Sequence, residues 1–220
     1  VDYDELTSST DEARYLLLQA ILDKGAALVT NVPDPGNDDN QSPVAVVGRL
    51  LGGGYLSHGH LYGDVFHVEA ISDPHNIAYT NVALPPHQDL AYYESPPGLQ
   101  LLHCVRNAVK GGESILMDAL AAAHEFLCVA PDLFEILTQC DAAFIKQRCG
   151  ADMIYRRSHI RLLPKSNVIA SVNWSPPFEG PLAIDADLVE QYYVAYAAFH
   201  RMLDNSLPAR ERLLPMLSES

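Results

Sequence analysis

The stretch ALPPHQDLAYYESPPGLQLLHC, residues 83–104, sets a histidine and an aspartate two residues apart, with two prolines before them and SPPG after. In extended backbone, residues i and i+2 point to the same side. His87 and Asp89 can therefore offer an imidazole nitrogen and a carboxylate oxygen to one ion. A borderline metal such as Fe(II) takes that donor set, and a second histidine from elsewhere would leave three positions open for substrate and oxygen. Pro85 and Pro86 restrict the backbone just before His87. SPPG makes a rigid turn, and LQLLHCV supplies a strand to pack behind the pair. Taken alone, the spacing also fits a surface histidine beside a turn aspartate.

The other histidines carry weaker signals. His103 falls in an expected buried strand, as a core residue or one supporting the ligands. His58, His60 and His67 read as loop residues, despite the HGH spacing. His124 and His200 fall on helices and read as surface residues. His159, among Arg156, Arg157 and Arg161, reads as a solvated strand edge.

The elements that must position these residues follow from periodicity and punctuation. Ser9 and Glu12 have capping-box spacing and Gly25 is a stop, so a helix spans the stretch between. Residues 26–32 read as a buried strand, 33–43 as a loop and 43–51 as a helix ending at Gly52–Gly54. Short apolar or alternating runs at 65–71, 77–82, 99–105, 114–117, 142–147, 159–163 and 168–173 read as strands. DALAAAHEFLCVAPDLFEILTQC reads as two helices broken at Pro131. Leu188, Tyr192, Tyr196, Phe199 and Leu203 recur on one helical face. Many short strands with helices in front and between predict a mainly β fold with helical cover, a sandwich or jelly roll.

At 220 residues the chain suits one domain over 1–220. Its net charge of −14 argues against nucleic acid and anionic membranes as partners. It does not argue against a small cationic substrate. No apolar run approaches the roughly 20 residues of a bilayer span, and no signal-peptide pattern opens the chain. Cys104, Cys128, Cys140 and Cys149 form no C-x-x-C pair. The apolar contexts of Cys104 and Cys128 predict buried free thiols, which favours an intracellular, reducing compartment, cytosol or mitochondrion.

The segment NIAYTNVALPPHQDLAYYESPPGLQLLHCVRNAVKGGESILMDAL closely resembles the γ-butyrobetaine/trimethyllysine dioxygenases, within the taurine-dioxygenase-like Fe(II)/2-oxoglutarate oxygenases. The likeness runs from about residue 15 to about 205, and VNWSPPFEGPL at 172–182 belongs to it. It implies a double-stranded β-helix. It implies His87 and Asp89 as metal and catalytic residues, and Asn76 near the 2-oxoglutarate co-substrate, where an ordinary turn asparagine before a strand is the other reading. The implied chemistry is oxidative decarboxylation of 2-oxoglutarate coupled to C–H hydroxylation, with ascorbate as reductant. Tyr62, Phe66 and Tyr79 match substrate positions where aromatic faces would hold a trimethylammonium group. Phe66 stands where characterised members carry tryptophan, a stronger π face, and packing in the core is the other reading of all three. Tyr92 and Tyr93 follow the ligands closely enough to line the pocket. Homodimers are common in the family.

The family pattern also needs a distal histidine followed by an arginine, usually as His-Gly-Arg, and that tripeptide is absent here. The jelly roll is therefore expected to be incomplete at its C-terminal end, without the family's N-terminal domain and final core strands. Three readings remain open: a piece of an ordinary oxygenase, which the non-Met start favours; a shortened, non-catalytic relative kept for binding or assembly; or a substitute third ligand, His159 or His200.

Overall fold

The computed structural model describes residues 1–8, 11–56, 61–68, 72–73, 77–80, 82–106, 114–148 and 150–205. These fall into two compact units: the described residues of Val1–Ala83 with Pro97–Ser114, and those of Leu84–Pro96 with 115–205. Asn76, His58, His60, Ser9 and Cys149 lie outside the described residues.

In the first unit, helices α1 (Tyr3–Thr7), α2 (Asp11–Lys24) and α3 (Pro43–Leu51) pack around Leu6, Leu17 and Val47. Helix α3 begins where Ser42 caps the Ala45 N–H and Pro43 takes the first turn, a position that needs no amide donor. The strand expected at 26–32 is reduced to a single bridge between Asp2 and Thr30. The runs at 65–68 and 99–105 form no strand, and 77–82 contains a 3-10 turn over Ile77–Tyr79. Apolar alternation gives a strand only where a partner completes the hydrogen-bond ladder. These segments have no such partner among the described residues.

The second unit contains the regular β structure. Strands β1 (Asp141–Arg148) and β2 (Ala151–Ser158) form an antiparallel hairpin, in register from Asp141 opposite Ser158 to Arg148 opposite Ala151. Gly150, at φ +79°, supplies the left-handed residue that the two-residue turn requires. A second pair joins β3 (Ile160–Leu162) to β4 (Ile169–Val172). Helices α4 (Ala119–Val129) and α5 (Pro131–Gln139) break at Pro131 as the sequence predicts, and Asp118 caps α4 by accepting from the Ala121 N–H at 2.8 Å. Helix α6 (Val189–Asn205) turns Tyr192, Ala195, Phe199 and Leu203 into the core against Phe126, Leu137, Ile160 and Trp174. Truncating one of these aromatics to Ala would cost about 3–5 kcal/mol.

The expected mainly β jelly roll is therefore not what the described residues display. They form six α-helices and two separate two-stranded sheets, with no closed barrel. The stretch 114–117 carries no strand either. Strand β2 was not anticipated, because ADMIYRRS mixes charge into its alternation.

Candidate functional site

His87 and Asp89 do converge. The His87 Nε2 lies 3.6 Å from Asp89 Oδ1, and the side chains keep 22% and 45% exposure, so an ion can reach both. The other ring nitrogen, Nδ1, is 2.8 Å from the Pro85 carbonyl oxygen. A carbonyl only accepts, so Nδ1 carries a hydrogen, and Nε2 faces the carboxylate across a gap that a shared proton or cation can fill. A metal-ligating histidine needs this tautomer, fixed by a backbone acceptor. Two donors each about 2.1 Å from one ion can be at most about 4.2 Å apart, so the observed separation fits a shared cation. Without a metal, the Asp89 carboxylate raises the His87 pKa above its ordinary value, the Pro85 carbonyl adds to this, and burial opposes both. A proton and a divalent cation thus compete for the same lone pair.

The ligand segment is tied to the second unit from both ends. Gln88 bonds to Trp174 and Ser175, which follow β4. Arg157 of β2 donates to the Tyr93 and Glu94 carbonyls while its guanidinium lies 4.3 Å over the Tyr155 ring. Tyr92 is buried against Phe178, ring centroids 5.3 Å apart. Immediately after Asp89, Leu90 turns the chain at φ +59°, the left-handed region that costs a leucine about 1–2 kcal/mol.

In the first unit Tyr62, Phe66 and Tyr79 come together: Tyr62 and Phe66 meet edge to face at 4.8 Å, and Phe66 lies 5.5 Å from Tyr79. Tyr62 and Tyr79 are half-buried and Phe66 is exposed. Rings this close leave no room for a cation between them. The group offers one continuous aromatic surface to a cation resting on it.

The chain matches the family described as taurine catabolism dioxygenase TauD, TfdA family, over residues 1–213. The chain belongs to this family. It is 31% identical over 185 residues to a dioxygenase of Strobilurus tenacellus, covering 84% of this chain and 42% of that protein. It is 31% identical over 147 residues to the γ-butyrobetaine dioxygenase of a Pseudomonas strain, 64% of this chain and 37% of that one. With the mitochondrial trimethyllysine dioxygenase of Rattus norvegicus the identity is 32% over 210 residues, 93% and 47% of the two chains. The chain thus spans less than half the length of these curated relatives. The TauD family implies a jelly-roll fold.

Among the described residues of this TauD-family chain, no three His, Cys, Asp or Glu side chains converge to hold a metal ion. The fit to iron therefore rests on two donors. His159, expected at a solvated edge, is fully buried. Its Nδ1 donates to the Asn173 carbonyl at 2.9 Å and its Nε2 accepts from the Tyr192 hydroxyl at 2.8 Å. With both nitrogens committed it is not a substitute ligand. The strand bends at His159, so Ser158, His159 and Ile160 are all buried and the alternation with Arg157 and Arg161 is broken. His200 pairs with Asp204 one turn along α6 at 3.6 Å and lies against Trp174, half-buried rather than on the surface. His124 is exposed, as expected. His67 is exposed and bonds Asp39 at 2.7 Å. His103 is half-buried, not in a buried strand. Cys104 and Cys128 are exposed, contrary to expectation, and Cys140 is the buried free thiol. Helix α4 turns its alanines and Phe126 inward instead of Cys128.

Sequence reasoning also missed a buried polar network. Burial raises the Glu179 carboxyl to about 7, against which the Tyr196 hydroxyl bond works only in part. Burial lowers His159 to about 4, with the Asn173 carbonyl opposing. Burial, and then the Glu179 charge, raises the Tyr192 and Tyr196 hydroxyls. Tyr196 stacks on Trp174 at 4.7 Å, so the network abuts the residue that holds Gln88. The Tyr192–Tyr196 repeat was the visible signal. That it faces a histidine was not.

Proposed function

We propose that this chain carries two of the iron donors of an Fe(II)/2-oxoglutarate-dependent dioxygenase, His87 and Asp89, and that its substrate is a small trimethylammonium-bearing acid such as γ-butyrobetaine or a relative. The observation that carries the reading is the His87 ring: Nδ1 is committed to Pro85 and Nε2 faces Asp89 at 3.6 Å, in a chain of the TauD/TfdA family. Iron with 2-oxoglutarate supplies oxygen activation when bound, coupling decarboxylation of the co-substrate to hydroxylation of a C–H bond. The chain's own part is to hold and orient. His87 offers a neutral imidazole, Asp89 a charged oxygen, and the hydrogen bonds of Gln88 and Arg157 keep the segment from swinging. Asn76 belongs to the co-substrate side of this reading. Ascorbate would keep the iron ferrous.

The aromatic surface of Tyr62, Phe66 and Tyr79 supports an onium substrate, because a quaternary ammonium ion donates no hydrogen bond and is held by ring faces. The names of the relatives, all dioxygenases, do not favour a non-catalytic role.

The test supplies Fe(II), ascorbate and 2-oxoglutarate and measures succinate with and without γ-butyrobetaine or trimethyllysine. Substrate-stimulated succinate that disappears in His87→Ala is the expected result. Equal succinate from the parent and the variant removes His87 from the reading. Tyr79→Ala should weaken binding of a betaine-like ligand by calorimetry, by about 0.5–2 kcal/mol for one ring face. Unchanged binding would remove the aromatic surface.

A further inference from the structure

Gln88 stands between the two donors, and three of its polar groups end on two consecutive residues of a distant segment. Its N–H donates to the Trp174 carbonyl at 2.7 Å. Its side-chain Oε1 accepts from the Trp174 N–H at 3.0 Å, and its carbonyl accepts from Ser175 Oγ at 2.7 Å. The anchor is rigid: Trp174 and Ser175 are buried, and the Trp174 ring is packed by His159, Tyr196, Phe199 and His200 at centroid distances of 4.7–5.6 Å.

Asp89 opens a turn over residues 89–92, so no regular strand fixes the spacing of the two donor side chains. His87 Nε2 and Asp89 Oδ1 are nevertheless 3.6 Å apart. Holding both side chains at that separation costs conformational entropy in a freely rotating segment. Fixing the residue between them on both its backbone groups and its side chain removes that freedom before any ion arrives. The amide does what a plain apolar residue cannot, because it satisfies the Trp174 N–H while the Gln88 carbonyl is engaged by Ser175.

We propose that Gln88 is a positioning residue, whose clamp on Trp174 and Ser175 sets the convergence of the His87 and Asp89 donors and so the affinity of the metal site. This rests on the reading of His87 and Asp89 as metal donors. Gln88 itself binds nothing.

Trp174 is the only tryptophan in the chain, so its emission reports from the clamp itself. Co(II) chloride is titrated into the full chain, with quenching of Trp174 emission as the readout and far-UV thermal unfolding as the check on folding. The parent should quench saturably and His87→Ala should not. Gln88→Met, of the same length but without the acceptor, should raise the Co(II) midpoint about 10–100-fold, while the thermal midpoint falls only by the few degrees that one orphaned Trp174 N–H accounts for. Gln88→Glu, which restores the acceptor oxygen, should return the midpoint to or below the parent value. Ser175→Ala should shift it in the same direction as Gln88→Met but less, since the Gln88 carbonyl can turn to water; it also serves if Gln88→Met fails to fold. A Gln88→Met midpoint equal to the parent's overturns the clamp and leaves the donors standing. A shift that Gln88→Glu does not rescue also overturns it, because side-chain shape rather than the hydrogen bond would then be responsible. If His87→Ala quenches like the parent, or the parent does not quench, the donor reading falls and takes the clamp with it.

Discussion

In both His87 and His159 the Nδ1 nitrogen donates to a backbone carbonyl, that of Pro85 at 2.8 Å in one case and that of Asn173 at 2.9 Å in the other. The two rings share a tautomer and differ in what Nε2 meets. At His87 it meets an anionic oxygen at 3.6 Å in a place open to solvent. At His159 it meets the Tyr192 hydroxyl at 2.8 Å in a fully buried one. Their basicities move in opposite directions as a result: Asp89 raises His87, and burial lowers His159 to about 4. A carbonyl behind the ring therefore prepares a histidine for either task. The partner at the far nitrogen, together with the exposure, decides between ligand and structural member.

The sharpest way to break that contrast is to remove each ring. His159→Ala leaves a cavity among Trp174, Tyr192 and Phe144, and orphans a buried hydroxyl and a carbonyl; it should cost about 3 kcal/mol or more. His87→Ala removes a half-buried ring with one local bond and should cost about 1 kcal/mol or less. Urea unfolding followed by Trp174 emission measures both. Equal losses would mean that His87 is as structural as His159.

The pH dependence sharpens the buried side. Native Glu179 titrates at about 7 against an ordinary 4.5, so the folded protein keeps a proton there that the unfolded chain has lost. Its stabilisation is full below pH 4.5 and is lost as pH rises through about 7. His159 runs the other way: its contribution is full above pH 6.5 and is lost as pH falls toward about 4. Between 4.5 and 6.5 the two slopes, each about 1.4 kcal/mol per pH unit, oppose and nearly cancel. Glu179→Gln should expose the His159 slope. Stability of the variant minus that of the parent should rise by about 2–3 kcal/mol over that window. A flat difference would place Glu179 at its ordinary value.

The same contrast shows where sequence reading succeeds. Local chemistry was legible: the Pro131 break, the helix opening at Pro43, the inward spacing of Tyr192, Phe199 and Leu203, and the i, i+2 presentation of His87 and Asp89. What was not legible depends on partners far along the chain. The Gln88 bonds cross 86 and 87 positions, and the His159–Tyr192 bond crosses 33. His159 was misread because its neighbours are arginines and alternation assumes an unbroken strand, whereas the backbone bends there. The apolar runs at 77–82 and 99–105 were misread because alternation cannot reveal whether a ladder partner exists.

A smaller effect tests whether Tyr192 is the reason His159 stays structural. Tyr192→Phe keeps the tilted ring contact with His159 and deletes only the donor, leaving Nε2 as a buried acceptor; the expected loss is about 1–2 kcal/mol. It should leave Co(II) binding at the His87 pair unchanged. Coupled loss of metal binding would mean that the network around Trp174 transmits to the donors more strongly than the clamp geometry requires.

The smallest effect concerns backbone strain in two turns, one of them at the donor segment. Leu90, directly after Asp89, and Lys165, in the turn between β3 and β4, both hold φ near +60°. Lys165 is exposed, and glycine there relieves the left-handed conformation at the cost of extra freedom in the unfolded chain. Lys165→Gly should therefore change stability by about +0.5 kcal/mol at most. Leu90→Gly gains the same relief and loses some burial, so its net stability change should also be within about 0.5 kcal/mol. The two should part at the metal. A glycine at 90 frees the turn that ends the donor segment and should raise the Co(II) midpoint severalfold, whereas a glycine at 165 should not move it. Identical metal binding in the two variants would mean that the strained turn is incidental and that Gln88 and Arg157 alone hold the donors in place.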